Sequence, residues 1–265
     1  TETAYYDSVI SNYFNKISNI NFPNKRVFHG TLIEKLRYGE NPHQESAVYS
    51  LGSNMNIKQI YGKKLSYNNY NDIFTALMIS KSLPKNIGTV ILKHANPCGV
   101  SIKKNHIDSY KFALRCDPIS AFGGIVSCNF EMNKKVALEL NKIFLEVIIA
   151  KGYKKEALKI LKKKKNLRII DAKNYQPIND KSFVSNLDSF LYQSIDNDKF
   201  DKNNFKVVSK IKPTNKQNSK KPISVQNPPN NSDHNQNQND CACPAATTLL
   251  FYLFGKTTPW ITTAS

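Results

Sequence analysis

The chain has 265 residues, of which 40% are hydrophobic, and a formal net charge of +18. That length holds one large domain or two small ones, and the apolar share supports a core, though not over the whole length. No apolar run approaches the roughly 18 residues of a membrane span, and the amino terminus lacks the basic-then-apolar pattern of a secretory signal.

Tyr6, Val9, Ile10, Tyr13 and Phe14 recur at helical spacing, which predicts an opening amphipathic helix. The chain starts at Thr1 and not at Met, as a fragment or a processed product would. A linker with Pro23 follows, then extended residues at 27–29 and 31–33. Leu36 to Gln44 is a polar loop dense in turn formers, and Ala47-Val48-Tyr49 a short strand. Gly62 to Asn71 forms a second polar, tyrosine-rich loop, with Asn71 placed to cap a helix from Asp72 that turns Ile73, Ala76 and Leu77 inward. Thr89-Val90-Ile91-Leu92 reads as a buried strand, after which Asn96-Pro97 and Gly99 mark a turn.

A helix over Ile107–Leu114 stops at Asp117-Pro118. Gly123-Gly124 introduces the strand Ile125–Cys128, and Asn133 caps a helix with Val136, Ala137, Leu140 and Phe144 on one face. Val147-Ile148-Ile149 and Leu167–Ile170 are further strands, separated by a lysine-rich helix. Strands alternating with helices in this way predict an α/β sheet. Order is expected to end near Val208. From Lys212 to Asp240 the chain is Asn, Gln, Pro and Lys, too polar to offset its ordering entropy, and Leu249 to Phe254 forms a short apolar tail.

The positive charge invites a nucleic-acid reading. Its densest cluster, Lys154 to Lys165, carries an apolar stripe of Ala157, Leu158 and Leu161, so the lysines fill the wet face and last turn of a helix. No zinc finger, aromatic RNA-binding signature or recognition helix accompanies it, and no nucleic-acid partner is expected. The five cysteines, Cys98, Cys116, Cys128, Cys241 and Cys243, form no CxxC pair. Their odd number fits a reducing, cytoplasmic setting.

The most informative stretch is Lys93-His94-Ala95-Asn96-Pro97-Cys98-Gly99. A Lys and a His leave a strand end together, and ligands of open α/β sheets bind outside the carboxyl ends of strands. On position alone, a strand end that carries two polar residues is the plainer reading. Leu36 to Gln44, Leu65 to Asp72, Lys93 to Gly99 and Asp117 to Gly124 change that balance, as do Glu146 to Ala150 and Glu156 to Arg168. Together and in order, these blocks resemble the bifunctional purine-biosynthesis enzymes, in which an AICAR transformylase is joined to an IMP cyclohydrolase. The resemblance runs from residue 1 to about 215.

It implies a cytidine-deaminase-like mixed sheet with flanking helices, incomplete and followed by a disordered tail. Residues 1–25 would be the end of the cyclohydrolase domain and a linker, 26–210 the first part of the transformylase domain, and 211–265 a stretch unlike the family. A shifted reading frame would yield such a tail. The implied reaction moves a formyl group from 10-formyltetrahydrofolate to the 5-amino group of AICAR, in a homodimer. A truncated, inactive remnant of that enzyme is the competing reading. By match to the family motifs, His94 is the proton acceptor and Lys93 the transition-state stabiliser. Arg37 and Tyr38 bind the nucleotide, and Gly123 and Glu146 contact the substrate. The chemistry is apt: imidazole titrates near neutral pH, and an ammonium is a compact partner for an oxyanion.

His43 shapes the Arg37 loop, while His29, His106 and His234 carry no motif and read as surface positions. The deaminase zinc signature needs His-x-Glu and Pro-Cys-x-x-Cys. Here Ala95-Asn96 follow His94, and Gly99-Val100-Ser101 follow Cys98, so no metal is expected and Cys98 is assigned to packing.

Overall fold

The computed structural model describes residues 1–52, 55–176 and 181–195. The expected end of order near Val208, the low-complexity stretch, the apolar tail, His234, Cys241 and Cys243 lie outside the described residues.

The architecture is a mixed α/β sandwich around a six-stranded sheet. Its strands are β3 (Lys58–Tyr61), β4 (Gly88–Lys93), β5 (Asn96–Ile102), β6 (Gly124–Cys128), β7 (Leu145–Ala150) and β8 (Arg168–Asp171), in the order β3-β8-β7-β6-β4-β5. β6, β7 and β8 run parallel, while β4 is antiparallel to both β6 and β5, and β3 is antiparallel to β8. Before the sheet come helix α1 (Glu2–Ile17) and a hairpin of β1 (Thr31–Lys35) and β2 (Ala47–Ser50); after it comes a second hairpin, β9 (Lys181–Asn186) with β10 (Ser189–Ser194).

Helices cover both faces. On one, α2 (Tyr67–Ser82) sets Ile73, Ala76, Leu77 and Ile79 against Val90, Leu92, Ile125, Val147 and Ile149. On the other, α3 (His106–Cys116), α4 (Lys134–Leu140) and α5 (Lys155–Leu161) bury Tyr110, Ala137, Leu140, Ala157 and Leu161 against Ile91, Val126, Ile148 and Ile169. Strands covered on both faces read as unbroken apolar runs. Each fully buried Ile, Leu or Val contributes roughly 1.5–3 kcal/mol. α5 keeps Ala157 and Leu161 inside, in line with the wet-face reading of its lysines. Among the described residues no helix is long and apolar enough to cross a membrane.

Several expectations need correction. Asn71 does not cap α2. Ser66 does, in a capping box: its hydroxyl accepts from the Asn69 amide at 3.2 Å, and the Asn69 side chain accepts from the Ser66 amide at 3.2 Å. Half of the supposed loop at 62–71 is therefore helix. Asn96 and Pro97 do not turn the chain but open β5. This is the sheet edge, where a missing N–H is tolerated, and the ladder bulges there, with Ile91 opposite Gly99 and Leu92 opposite Pro97. Phe144 lies beyond α4 and is half exposed. His106 is not a free surface residue: its ring stacks on Phe130 with centroids 3.8 Å apart, and its Nε2 lies 2.9 Å from the Asn86 carbonyl. The amphipathic α1 forms as expected, but Tyr6, Tyr13, Phe14 and Ile17 stay more than half exposed.

Candidate functional site

β4 delivers Lys93 as its last residue, and the chain reverses through His94-Ala95 into β5, with Lys93 paired to Asn96. Both turn residues have positive φ, 50° and 57°. Two such residues in a two-residue loop make a type I′ hairpin turn, a position usually filled by Asn-Gly. For side chains other than Gly, the left-handed region costs about 1–2 kcal/mol per residue. His94 thus projects, exposed, from a strained corner.

The corner is held from α2. Asp72 Oδ1 accepts a hydrogen bond from the Ala95 amide at 2.6 Å. Asp72 is 9% exposed, and burial pushes its carboxyl above the ordinary range; the Ala95 amide and the His94 charge pull the other way, and Glu146 adds to the upward push. A hydrogen bond to a charged acceptor is worth about 1.5–3 kcal/mol, the scale of the strain in the turn.

Lys93 is half buried, and its Nζ donates to the Phe122 carbonyl at 3.0 Å. That carbonyl precedes Gly123, whose φ is +73° and whose amide donates to the Phe144 carbonyl at 2.9 Å. Glu146 enters at the start of β7. Its Oε2 accepts from Asn69 Nδ2 at 3.0 Å and lies 3.7 Å from Arg168 Nη1. Asn69 therefore does two jobs with one amide group, capping α2 and orienting Glu146. Without the family blocks Glu146 reads as a solvated helix end; it is a strand residue with a half-exposed carboxylate.

Cys98 is partly buried against the core beneath α3. Burial, and then the Asp117 charge, push its thiol up to about 11, partly opposed by Lys93. It is a poor thiolate ligand. Among the described residues no group of three or more His, Cys, Asp or Glu could hold a metal ion.

The structure thus gathers Lys93, His94, Gly123 and Glu146 at one end of the sheet. Arg37 and Tyr38 lie on the loop between β1 and β2, with the Arg37 guanidinium 5.7 Å from the Tyr38 ring centroid. Among the described residues neither makes a hydrogen bond or ion pair to the other four. Their loop is tied to the same helix, since Tyr70 of α2 donates to Glu34 Oε2 of β1 at 3.2 Å. Sequence reasoning missed Asp72, Asn69 and Arg168. The available signal was the spacing of Asn69, Asp72, Ile73 and Ala76, which sets two polar residues in the inward register of α2.

The assembled groups offer an exposed imidazole, an ammonium anchored by a carbonyl, and a carboxylate held by an amide and a guanidinium. This set can move a proton and offset a developing negative charge.

Comparison with known proteins gives these groups a context. The family model described as AICARFT/IMPCHase bienzyme matches residues 1–226. The bifunctional purine biosynthesis protein PurH of Leptospira biflexa is 41% identical over 216 residues, covering 81% of this chain and 42% of that protein. PurH of Thermoanaerobacter sp. (strain X514) is 43% identical over 220 residues, covering 81% and 43%. PurH of Prochlorococcus marinus (strain MIT 9515) is 42% identical over 226 residues, covering 80% and 43%. The chain spans about two-fifths of the length of these curated relatives.

Proposed function

Because the chain belongs to the AICARFT/IMPCHase bienzyme family, we propose that it carries part of the transformylase site of purine biosynthesis. In this reading residues 26–210 are the first part of the transformylase domain and 1–25 the end of the cyclohydrolase domain with a linker. A formyl group passes from 10-formyltetrahydrofolate to the 5-amino group of AICAR, in a cytoplasmic homodimer. That amine is a weak nucleophile, because its lone pair is delocalised into the imidazole and its carboxamide. His94 takes its proton as the new C–N bond forms, and Lys93 meets the oxyanion of the tetrahedral intermediate; collapse of that intermediate breaks the bond from the formyl carbon to folate N10, which takes up a proton and leaves as tetrahydrofolate. A positioned base is worth roughly 10²–10⁴-fold. Glu146 and the Gly123 backbone contact the nucleotide, and Arg37 with Tyr38 takes its phosphate, for which a guanidinium offers paired hydrogen bonds.

The observation that supports this reading best is the convergence at one sheet end. Lys93 reaches the carbonyl beside Gly123, and Glu146 is oriented by the same helix that holds the His94 turn. The test is calorimetric AICAR binding by the purified chain, with formyl transfer followed in parallel. AICAR is expected to bind, Glu146→Ala and Arg37→Ala to weaken it, and His94→Ala to abolish transfer while AICAR binding stays within a few-fold. Transfer that survives His94→Ala, or binding indifferent to both Glu146 and Arg37, refutes the assignment.

A further inference from the structure

Asp72 is a buried carboxylate to which the chemistry above gives no part. It lies inside α2, one helical turn beyond Asn69, and faces the sheet instead of solvent. Its partners are not side chains but backbone amides of the reversal that carries His94: that of Ala95, at 2.6 Å, and that of His94 itself. These amides belong to two consecutive residues with positive φ, neither of them Gly. The side-chain hydrogen bond from Asn96 Nδ2 to the His94 carbonyl, at 2.9 Å, is local and exposed. Among the described residues, the hydrogen bonding to Asp72 ties the two turn residues to helix α2 and so to the covered body of the fold.

We propose that Asp72 is a positioning residue for His94: its carboxylate, fixed on α2, holds the Ala95 amide and so sets the direction in which the imidazole leaves the hairpin. The inference rests on the reading of His94 as the proton acceptor for its functional meaning, but not for its geometry. Asn69 does the parallel service for Glu146 from the preceding turn of the same helix. Two turns of α2 therefore carry the frame of the site, while the reacting groups come from the sheet.

The experiment compares Asp72→Ala with Asp72→Asn in the full chain. Asn keeps an acceptor oxygen and almost the same shape; Ala keeps neither. Three measurements are made without substrate: hydrogen exchange at the Ala95 amide, the ring resonances of His94, and exchange at Val90, Ile91 and Val126 as a control for global stability. In Asp72→Ala the Ala95 amide is expected to exchange about 10- to 100-fold faster, the size expected for a lost charge-assisted hydrogen bond. The His94 ring signals are expected to shift and broaden, with the control amides holding their order of protection. Asp72→Asn is expected to restore most of both local effects. Ring signals that stay put in Asp72→Ala, or an Asn variant no better than Ala, overturn the proposal. If the Ala variant does not fold, the Asn variant decides: ring signals within the wild-type range support positioning, and signals displaced as for a free histidine overturn it. AICAR binding by the wild-type chain is measured separately. Its absence counts against the functional reading and leaves the substrate-free measurements to judge Asp72.

Discussion

Gly123 and Gly124 are adjacent, yet alanine at each position should fail for a different reason and by a different amount. Gly123 has φ +73°, and a Cβ there would meet the Phe144 ring at 3.6 Å and 3.7 Å, an ordinary contact. Its alanine variant therefore carries only the left-handed backbone cost, about 1–2 kcal/mol. Gly124 has no such φ, but its Cβ would sit 2.5 Å from the Leu92 carbonyl oxygen and 3.1 Å from that of Ala121. Ordinary C···O contacts lie near 3.3 Å, so the β4–β6 ladder must open by roughly 0.8 Å. Both obstacles are backbone, and no side chain can swing aside. Overpacking typically costs about 1–3 kcal/mol, and this case belongs at the top of that range or above it. At about 2–4 °C per kcal/mol for a chain of this size, Gly123→Ala should lower Tm by about 2–8 °C and Gly124→Ala by at least about 6 °C. Urea denaturation of the two variants checks the order. A Gly124→Ala chain as stable as Gly123→Ala would mean that the β4–β6 spacing is softer than described, and the argument would fail.

Asn129 accepts from the Gly88 amide at 2.8 Å and donates to the carbonyls of Pro84 at 2.9 Å and Ser80 at 3.2 Å. Asn129→Ala should cost about 2–3 kcal/mol in urea denaturation, near 1 kcal/mol per hydrogen bond, and, on the proposed function, leave AICAR binding unchanged, because this cluster sits at the opposite sheet end. Asp117 is held below the ordinary carboxylate range by its hydrogen bonds to the side chain and amide of Ser120. The ionised form is favoured in the folded chain, so its contribution is present above the ordinary carboxylate range and lost as pH falls through the lowered value. Urea midpoints followed from neutral to acid pH should show a deficit of Asp117→Asn that closes in acid; a deficit that does not change with pH would remove the assignment.

What the sequence made legible follows from burial. Val90 to Leu92, Ile125-Val126, Val147 to Ile149 and Ile169-Ile170 read as strands because helices cover both faces, which leaves no polar alternation to confuse the pattern. β3 was missed: it is a four-residue edge strand, Lys58-Gln59-Ile60-Tyr61, with little apolar signal. β5 was missed because Asn-Pro is ordinarily turn chemistry, and only its place at a bulged edge makes it strand. The reversal was placed two residues late for the same reason, since His94-Ala95 contains none of the residues that usually announce a type I′ turn. Lys93 and His94 were visible through the blocks around them. Asp72 was hidden, because an acidic residue assigned to a helix start reads as solvated, whereas with the cap at Ser66 it lies in the second turn, on the face that buries Asn69, Ile73 and Ala76.

The direction of the strands also changes the reason the site lies where it does. The rule for parallel sheets places ligands at carboxyl ends, and it holds for β4 alone. β4 is antiparallel to β6, so the end that carries Lys93 is the amino end of β6, β7 and β8. That is why Gly123 precedes a strand, and why Glu146 and Arg168 stand within the first two residues of theirs. Groups at strand starts inherit their positions from the buried residues that follow: Val147 and Ile169 are 0% exposed. Gly123 also lies on a turn, but as glycine it takes its positive φ without a Cβ clash, so among these groups only the His94 turn is strained. With Lys93, Glu146 and Arg168 on strand ends and His94 on a strained reversal, the added restraint is needed at the reversal, and the Asp72 carboxylate is where the fold supplies it.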